Sequence, residues 1–148
     1  MNQKTYTVLL VEDNDDDAFL TESVVKNFQS EITVVVNRVI DGKEALDYML
    51  NQDKYSDSKY AVPDLVLLDL KMPRLNGLSF LQHISEQTDL TNVPVVVLTT
   101  SLEQSDIAQA YKYGANAYMR KPVDFGEFVA QMDIVLNFWL LINKRPQY

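Results

Sequence analysis

The chain has 148 residues, 47% hydrophobic and 23% charged, a length and balance that suit one globular domain with one substantial core and exclude a disordered polymer. Its 13 basic residues are outnumbered by 21 acidic ones, and the formal charge of -8 opposes direct binding of a nucleic-acid backbone by a broad basic surface. The absence of cysteine excludes a disulfide framework and a thiolate metal site.

The opening stretch MNQKTYTVLLVEDN holds a first strand, TVLLV at 7–11, whose apolar run is too short for a signal sequence or a membrane span. The protein is therefore expected to be cytoplasmic and to have no membrane partner. After Asn14 a helical period spaces Ala18, Phe19, Val24, Val25 and Phe28 along one face, with Asp15, Asp16 and Asp17 in the first turn, where negative charge suits the helix dipole. ITVVVNRV at 32–39 is a second strand. DGKEALDYML then starts a helix, with Asp41 and Glu44 at the capping-box interval.

Residues 51–63 are polar and end on proline, so they read as a long surface connection. DLVLLD at 64–69 is a third strand, followed by a helix from about Gly77 with Leu78, Leu81 and Ile84 inward and His83 outward. VPVVVLTT at 93–100 is a fourth strand, and Ser101 with Gln104 repeats the capping interval. NAYMRK at 116–121 is the fifth, and Asp124 with Glu127 opens a last helix running from about 124 to 143. Phe125, Phe128, Val129, Met132, Val135, Leu136 and Trp139 form a stripe that can cover the sheet. Ile134, Phe138, Leu141 and Ile142 are left over, which points to a homodimer through this helix and the fifth-strand region.

Short apolar runs alternating with helical periods indicate an α/β fold, a (βα)5 doubly wound parallel sheet occupying residues 1–148 as a single domain. In such sheets ligands gather outside the carboxyl ends of the strands. Glu12 and Asp13 leave strand one there, Asp69 strand three, Thr99 and Thr100 strand four, and Lys121 followed by Pro122 strand five. Two unit charges about 4 Å apart repel by roughly 1 kcal/mol in water and about 4 kcal/mol at an effective dielectric near 20. Three converging acids therefore require a cation or raised pKa values, and Lys121 supplies one positive charge. Mg2+ suits a site of few carboxylates, a backbone carbonyl and waters. Such an ion can hold a phosphoryl group, which makes Asp69 the candidate nucleophile of aspartyl-phosphate chemistry.

Other chemistries fit less well. Residues 13, 15 and 17 have calcium-loop spacing, but Ala18 stands where the loop needs glycine and Val24 where it needs glutamate. His83, the single histidine, reads as a solvated helix position. A haloacid-dehalogenase-type phosphatase needs a second Asp two positions after the first, where Lys71 stands. A flavodoxin-like electron carrier wants a Ser/Thr-rich loop where Glu12 and Asp13 sit.

LLVEDN, VLLDLKMPRLNG, VVVLTTS and AYMRKP resemble the four signature blocks of the bacterial response-regulator receiver domain, in order and over nearly the whole chain. The resemblance implies a flavodoxin-like sheet of strand order 2-1-3-4-5. It implies Asp69 as phosphoacceptor, Asp13 as direct Mg2+ ligand, Glu12 acting mainly through water, and the Lys71 backbone carbonyl completing the protein's share of the metal sphere. Thr99 would bond a phosphoryl oxygen, Lys121 would pair with the phosphoryl group, Pro122 would follow it through a cis peptide, and Tyr118 would be the aromatic switch. A sensor histidine kinase would be the donor, and the protein would be a signalling phosphoacceptor rather than an enzyme. Its output would pass through the face of helix four, strand five and helix five to a downstream protein. A degenerate receiver acting only as a binding module would lack some of the acid, hydroxyl or lysine positions, and all are present. The NFWLLINKRP ending and the long connection before strand three resemble stand-alone receivers that serve bacterial phytochrome-type histidine kinases.

Overall fold

Successive residues of a strand point to opposite faces, and in this chain both faces are apolar, so the strands are built for burial between two helical layers. The computed structural model describes residues 4–28, 32–56, 62–87, 90 and 92–146. Five parallel strands, β1 (Lys4–Val11), β2 (Ile32–Val39), β3 (Leu65–Leu68), β4 (Val95–Thr99) and β5 (Ala117–Arg120), form one sheet in the order β2-β1-β3-β4-β5. β1 pairs with β2 from Lys4↔Ile32 to Val11↔Val39 and with β3 from Val8↔Leu65 to Val11↔Leu68.

Leu9, Val11, Val66, Leu68, Val95 and Val97 face one layer, made by α2 (Gly42–Met49), α3 (Gly77–Ser85) and α4 (Gln104–Lys112). Val8, Leu10, Leu65, Leu67, Val96 and Leu98 face the other, made by α1 (Asp15–Lys26) and α5 (Phe125–Leu136). The sheet order reverses between β1 and β3, and the loops leaving their carboxyl ends open a crevice there.

The helix starts are mostly where their caps put them. Asn14, Asp41, Asn76 and Asp124 each accept a hydrogen bond from the backbone N–H three residues on. Ser101 does not cap α4. The helix starts at Gln104 after Glu103, and the Ser101 hydroxyl instead donates to Asp106 Oδ2 at 2.7 Å and accepts from the Glu103 N–H at 3.2 Å. Phe19 also departs from expectation, being 73% exposed. At about 100° per residue it lies on the flank away from Ala18, Thr21, Val24 and Val25, which are the buried positions. On α3 the most deeply buried side chain is Phe80 rather than Leu78. The polar connection contains a 3-10 turn, Asp53–Tyr55, that sends Tyr55 into the core against Tyr48; its residues 57–61 lie outside the described residues.

The last helix continues past Leu136 as a π-helical segment, Asn137–Ile142, closed by the Asn143 N–H donating to Phe138 O at 2.7 Å. Phe128, Met132, Leu136 and Leu140 reach the core, whereas Phe125 and Val129 stay largely exposed. The 18 residues Phe125–Ile142 are long and apolar enough to cross a bilayer by composition. Here the sheet takes up one side of them. Beyond, Arg145 ties the chain to Asp64, whose other carboxylate oxygen accepts from the Thr7 N–H at 2.8 Å.

Candidate functional site

The site is assembled by strand ends. The Glu12 N–H donates to Val39 O and the Asp69 N–H to Val11 O, both at 3.0 Å, so the residues that leave β1 and β3 start from adjacent, fixed backbone. Ligand atoms of Glu12, Asp13 and Asp69 lie within 4.8 Å of one another. Alternation at the end of β1 divides the labour: Glu12 is buried and Asp13 is exposed.

Lys121 enters from β5, its N–H donating to Thr99 O at 2.7 Å. Its Nζ donates to Glu12 Oε1 at 2.5 Å, stands 3.3 Å from Asp17 Oδ2 and 3.9 Å from Asp69 Oδ2. Among the described residues no peptide bond is cis, so the bond before Pro122 is trans, against expectation. Trans is favoured by about 0.5–1 kcal/mol before proline, and Lys121 reaches the acids in that form.

Burial pushes the Glu12 carboxyl up to about 7, against the opposing pull of Lys121 and with a smaller push from the charge of Asp69. Burial works to lower the Lys121 pKa, but the bond to Glu12 and the charges of Asp69, Glu12 and Asp17 outweigh it and raise it. One ammonium against three carboxylates leaves a negative excess. The donors are all hard oxygens, a set that fits a small divalent cation such as Mg2+ or Mn2+. The Lys71 N–H stands 3.5 Å from Asp69 Oδ1, and Lys71 itself is exposed.

Thr99 is the last residue of β4 and is buried. Tyr118, on neighbouring β5, is turned inward: its ring packs on the α2–α4 side of the core and its hydroxyl donates to Ser101 O at 2.9 Å. Burial raises its pKa. Ile134 and Ile142 are 67% and 62% exposed and Phe138 is 43% exposed, whereas Leu141 is half-buried and packs against its own domain.

Sequence reasoning missed two residues beside the acids. Arg38, near the end of β2, donates from Nε to Glu12 O at 3.0 Å and from Nη1 to Asp15 Oδ1 at 2.9 Å. An arginine inside a valine-rich strand was the available signal. Asp17 reads in the sequence as a first-turn acid suited to the helix dipole, yet its carboxylate shares Lys121.

Residues 8–133 match the family model of the response regulator receiver domain. A probable methanogenesis regulatory protein, FilR2, of Methanothrix harundinacea is 34% identical over 142 residues, covering 95% of this chain and 88% of that protein. The response regulator Rcp1 of Synechocystis sp. is 33% identical over 133 residues, covering 90% and 88%. The phosphorylated cyanobacterial phytochrome response regulator RcpA superposes with a TM-score of 0.89 at 32% identity, covering 97% of this chain and 99% of that one. A Mn2+-bound form of Rcp1 gives 0.86, also at 32% identity, covering 96% and 99%.

Proposed function

Because the chain belongs to the response-regulator receiver family, whose members are phosphoacceptor signalling domains, we propose that Asp69 is its phosphoacceptor and a sensor histidine kinase its donor. The observation that carries this is the convergence of Glu12, Asp13 and Asp69 within 4.8 Å, with Lys121 Nζ between Glu12 and Asp69. In the transfer, an Asp69 carboxylate oxygen forms a bond to phosphorus as the phosphorus–nitrogen bond of phosphohistidine breaks, and the imidazole keeps the electron pair. Asp13, Asp69 and the Lys71 carbonyl would hold Mg2+, with Glu12 contributing its nearby charge. The ion supplies charge neutralisation for the phosphoryl oxygens. Lys121 exchanges Glu12 for the phosphoryl group, and Thr99 donates its hydroxyl to a phosphoryl oxygen.

The new charge of about -1.5 to -2 makes these contacts in one conformation only, so phosphorylation shifts a pre-existing equilibrium. Tyr118, bonded to the loop before α4, carries the shift to the α4–β5–α5 face. Likeness to RcpA and Rcp1 supports a bacteriophytochrome-type kinase as donor. The exposed row Ile134, Phe138 and Ile142 supports a homodimer. The protein is a signalling component rather than an enzyme acting on other molecules; hydrolysis of its own phosphate and a cytoplasmic location complete the proposal.

Incubation with acetyl phosphate and Mg2+ followed by peptide mass spectrometry tests the assignment. One phosphoryl group is expected on Asp69, and none on the Asp69→Asn variant. Undiminished incorporation at another residue in that variant would refute it.

A further inference from the structure

The loop between β3 and α3 carries Lys71 and is fixed from outside its own strand and helix. Arg74 donates from Nε to Asp41 Oδ2 at 2.6 Å and from Nη2 to Asp41 Oδ1 at 3.1 Å, a two-pronged pairing that sets both the distance and the plane of the guanidinium. Asp41 is buried and is the cap of α2, accepting from the Glu44 N–H at 2.8 Å, so the loop is attached to a residue that cannot drift without unwinding a helix end. The next residue repeats the attachment, with the Gly42 N–H donating to Leu75 O at 2.8 Å. A Cβ at Gly42 would stand 2.2 Å from Leu75 O, so the glycine is what lets the loop backbone come this close.

Arg74 holds a φ of 62°, a left-handed conformation that non-glycine residues seldom adopt. An arginine is kept there although glycine would fit without strain. Its side chain has a defined task, the bond to Asp41. Between Arg74 and Lys71 lie Met72 and Pro73, and the proline ring fixes one backbone angle of that short span. Only these two residues separate Arg74 from Lys71, so the anchored arginine lies close along the chain to the carbonyl of Lys71.

We propose that the Asp41–Arg74 ion pair is a clamp that positions the Lys71 backbone carbonyl for divalent-metal binding, so that both are positioning residues for the metal site. This rests on the proposed function, which gives that carbonyl to the metal. Residues that orient a metal ligand typically change affinity by about tenfold or more when altered.

The test is Mn2+ affinity by isothermal titration calorimetry on the full chain, at a temperature where every variant is fully folded by circular dichroism. Arg74→Gly removes the clamp while suiting the backbone angle, and Asp41→Asn keeps a capping side chain while removing the charge. Both are expected to weaken Mn2+ binding by about tenfold and Arg74→Lys by less, with faster amide exchange over residues 71–76. Wild-type affinity in either Arg74→Gly or Asp41→Asn would overturn the clamp. A wild-type protein that binds no Mn2+ would overturn the proposed function itself.

Discussion

Asp69 and Gly77 meet backbone to side: a Cβ built on Gly77 would lie 2.4 Å from the Asp69 carbonyl oxygen and 2.8 Å from Leu70 Cα. Both obstacles are main chain, so neither can swing away as a flexible side chain would. Gly77→Ala is expected to cost about 1–3 kcal/mol of stability, as overpacking does. It should also slow phosphorylation by displacing the exit of β3. Urea denaturation and acetyl-phosphate labelling measure the two effects, and wild-type values in both would show that the contact relaxes freely.

Glu12 makes metal binding depend on pH. With its carboxyl raised to about 7, Glu12 in the metal-free site is about half protonated at pH 7 and increasingly so below it, and divalent binding must expel that proton. Affinity should thus be flat well above pH 7 and fall by up to tenfold per unit below it, protons and metal competing for one charge. Mn2+ titrations across that range check the slope. Glu12→Gln should abolish it, and a slope surviving that change would assign the proton elsewhere.

Lys121 is the cation shared by Glu12, Asp17 and Asp69. Lys121→Ala should leave Asp69 phosphorylatable but remove the group that draws the domain toward its phosphorylated conformation. Light scattering with and without acetyl phosphate is expected to show a phosphate-dependent change in the wild type and none in the variant. An identical response in both would remove Lys121 from the coupling.

The exposed row on the last helix makes the fourth prediction. Ile134→Glu with Ile142→Glu changes two side chains that are 67% and 62% exposed, so the fold should be undisturbed. The homodimer should dissociate at micromolar concentration. A wild type that is monomeric in both phosphorylation states, or a variant that stays dimeric, would defeat this interface.

The sheet and the rim were legible in the sequence because strand burial and strand-end chemistry are both local patterns. VLLV and LVLL announce burial on two faces, and each acid or lysine that follows such a run has few other places to be. What was not legible depended on angles and partners. Phe19 reads as inward when apolarity is weighed ahead of helical phase, but α1 fills its inner face with Thr21 instead. Ser101 stands at the capping interval, yet Asp106 competes for its hydroxyl and Glu103 becomes the residue before the helix. Leu140 follows Phe128, Met132 and Leu136 into the core at intervals of four residues, and Leu141 beside it is half-buried in the π-helical segment, although in the sequence Trp139 reads as part of the stripe and Leu141 as left over. Arg38 and the Asp41–Arg74 pair join segments far apart in sequence, and charge type alone does not name a partner.

That change of pitch has its own consequence. Up to Leu136 the chain keeps ordinary α-helical bonding; from Asn137 to Ile142 each turn holds roughly one residue more. Inserting or deleting one amino acid within this segment would swing Ile142 by roughly 80° around the axis while leaving Phe128 and Met132 seated. The direction in which Ile142 is offered to a partner is thus tied to the seating of Leu140, which lies in the same segment and is buried in the core, so the two cannot be altered independently.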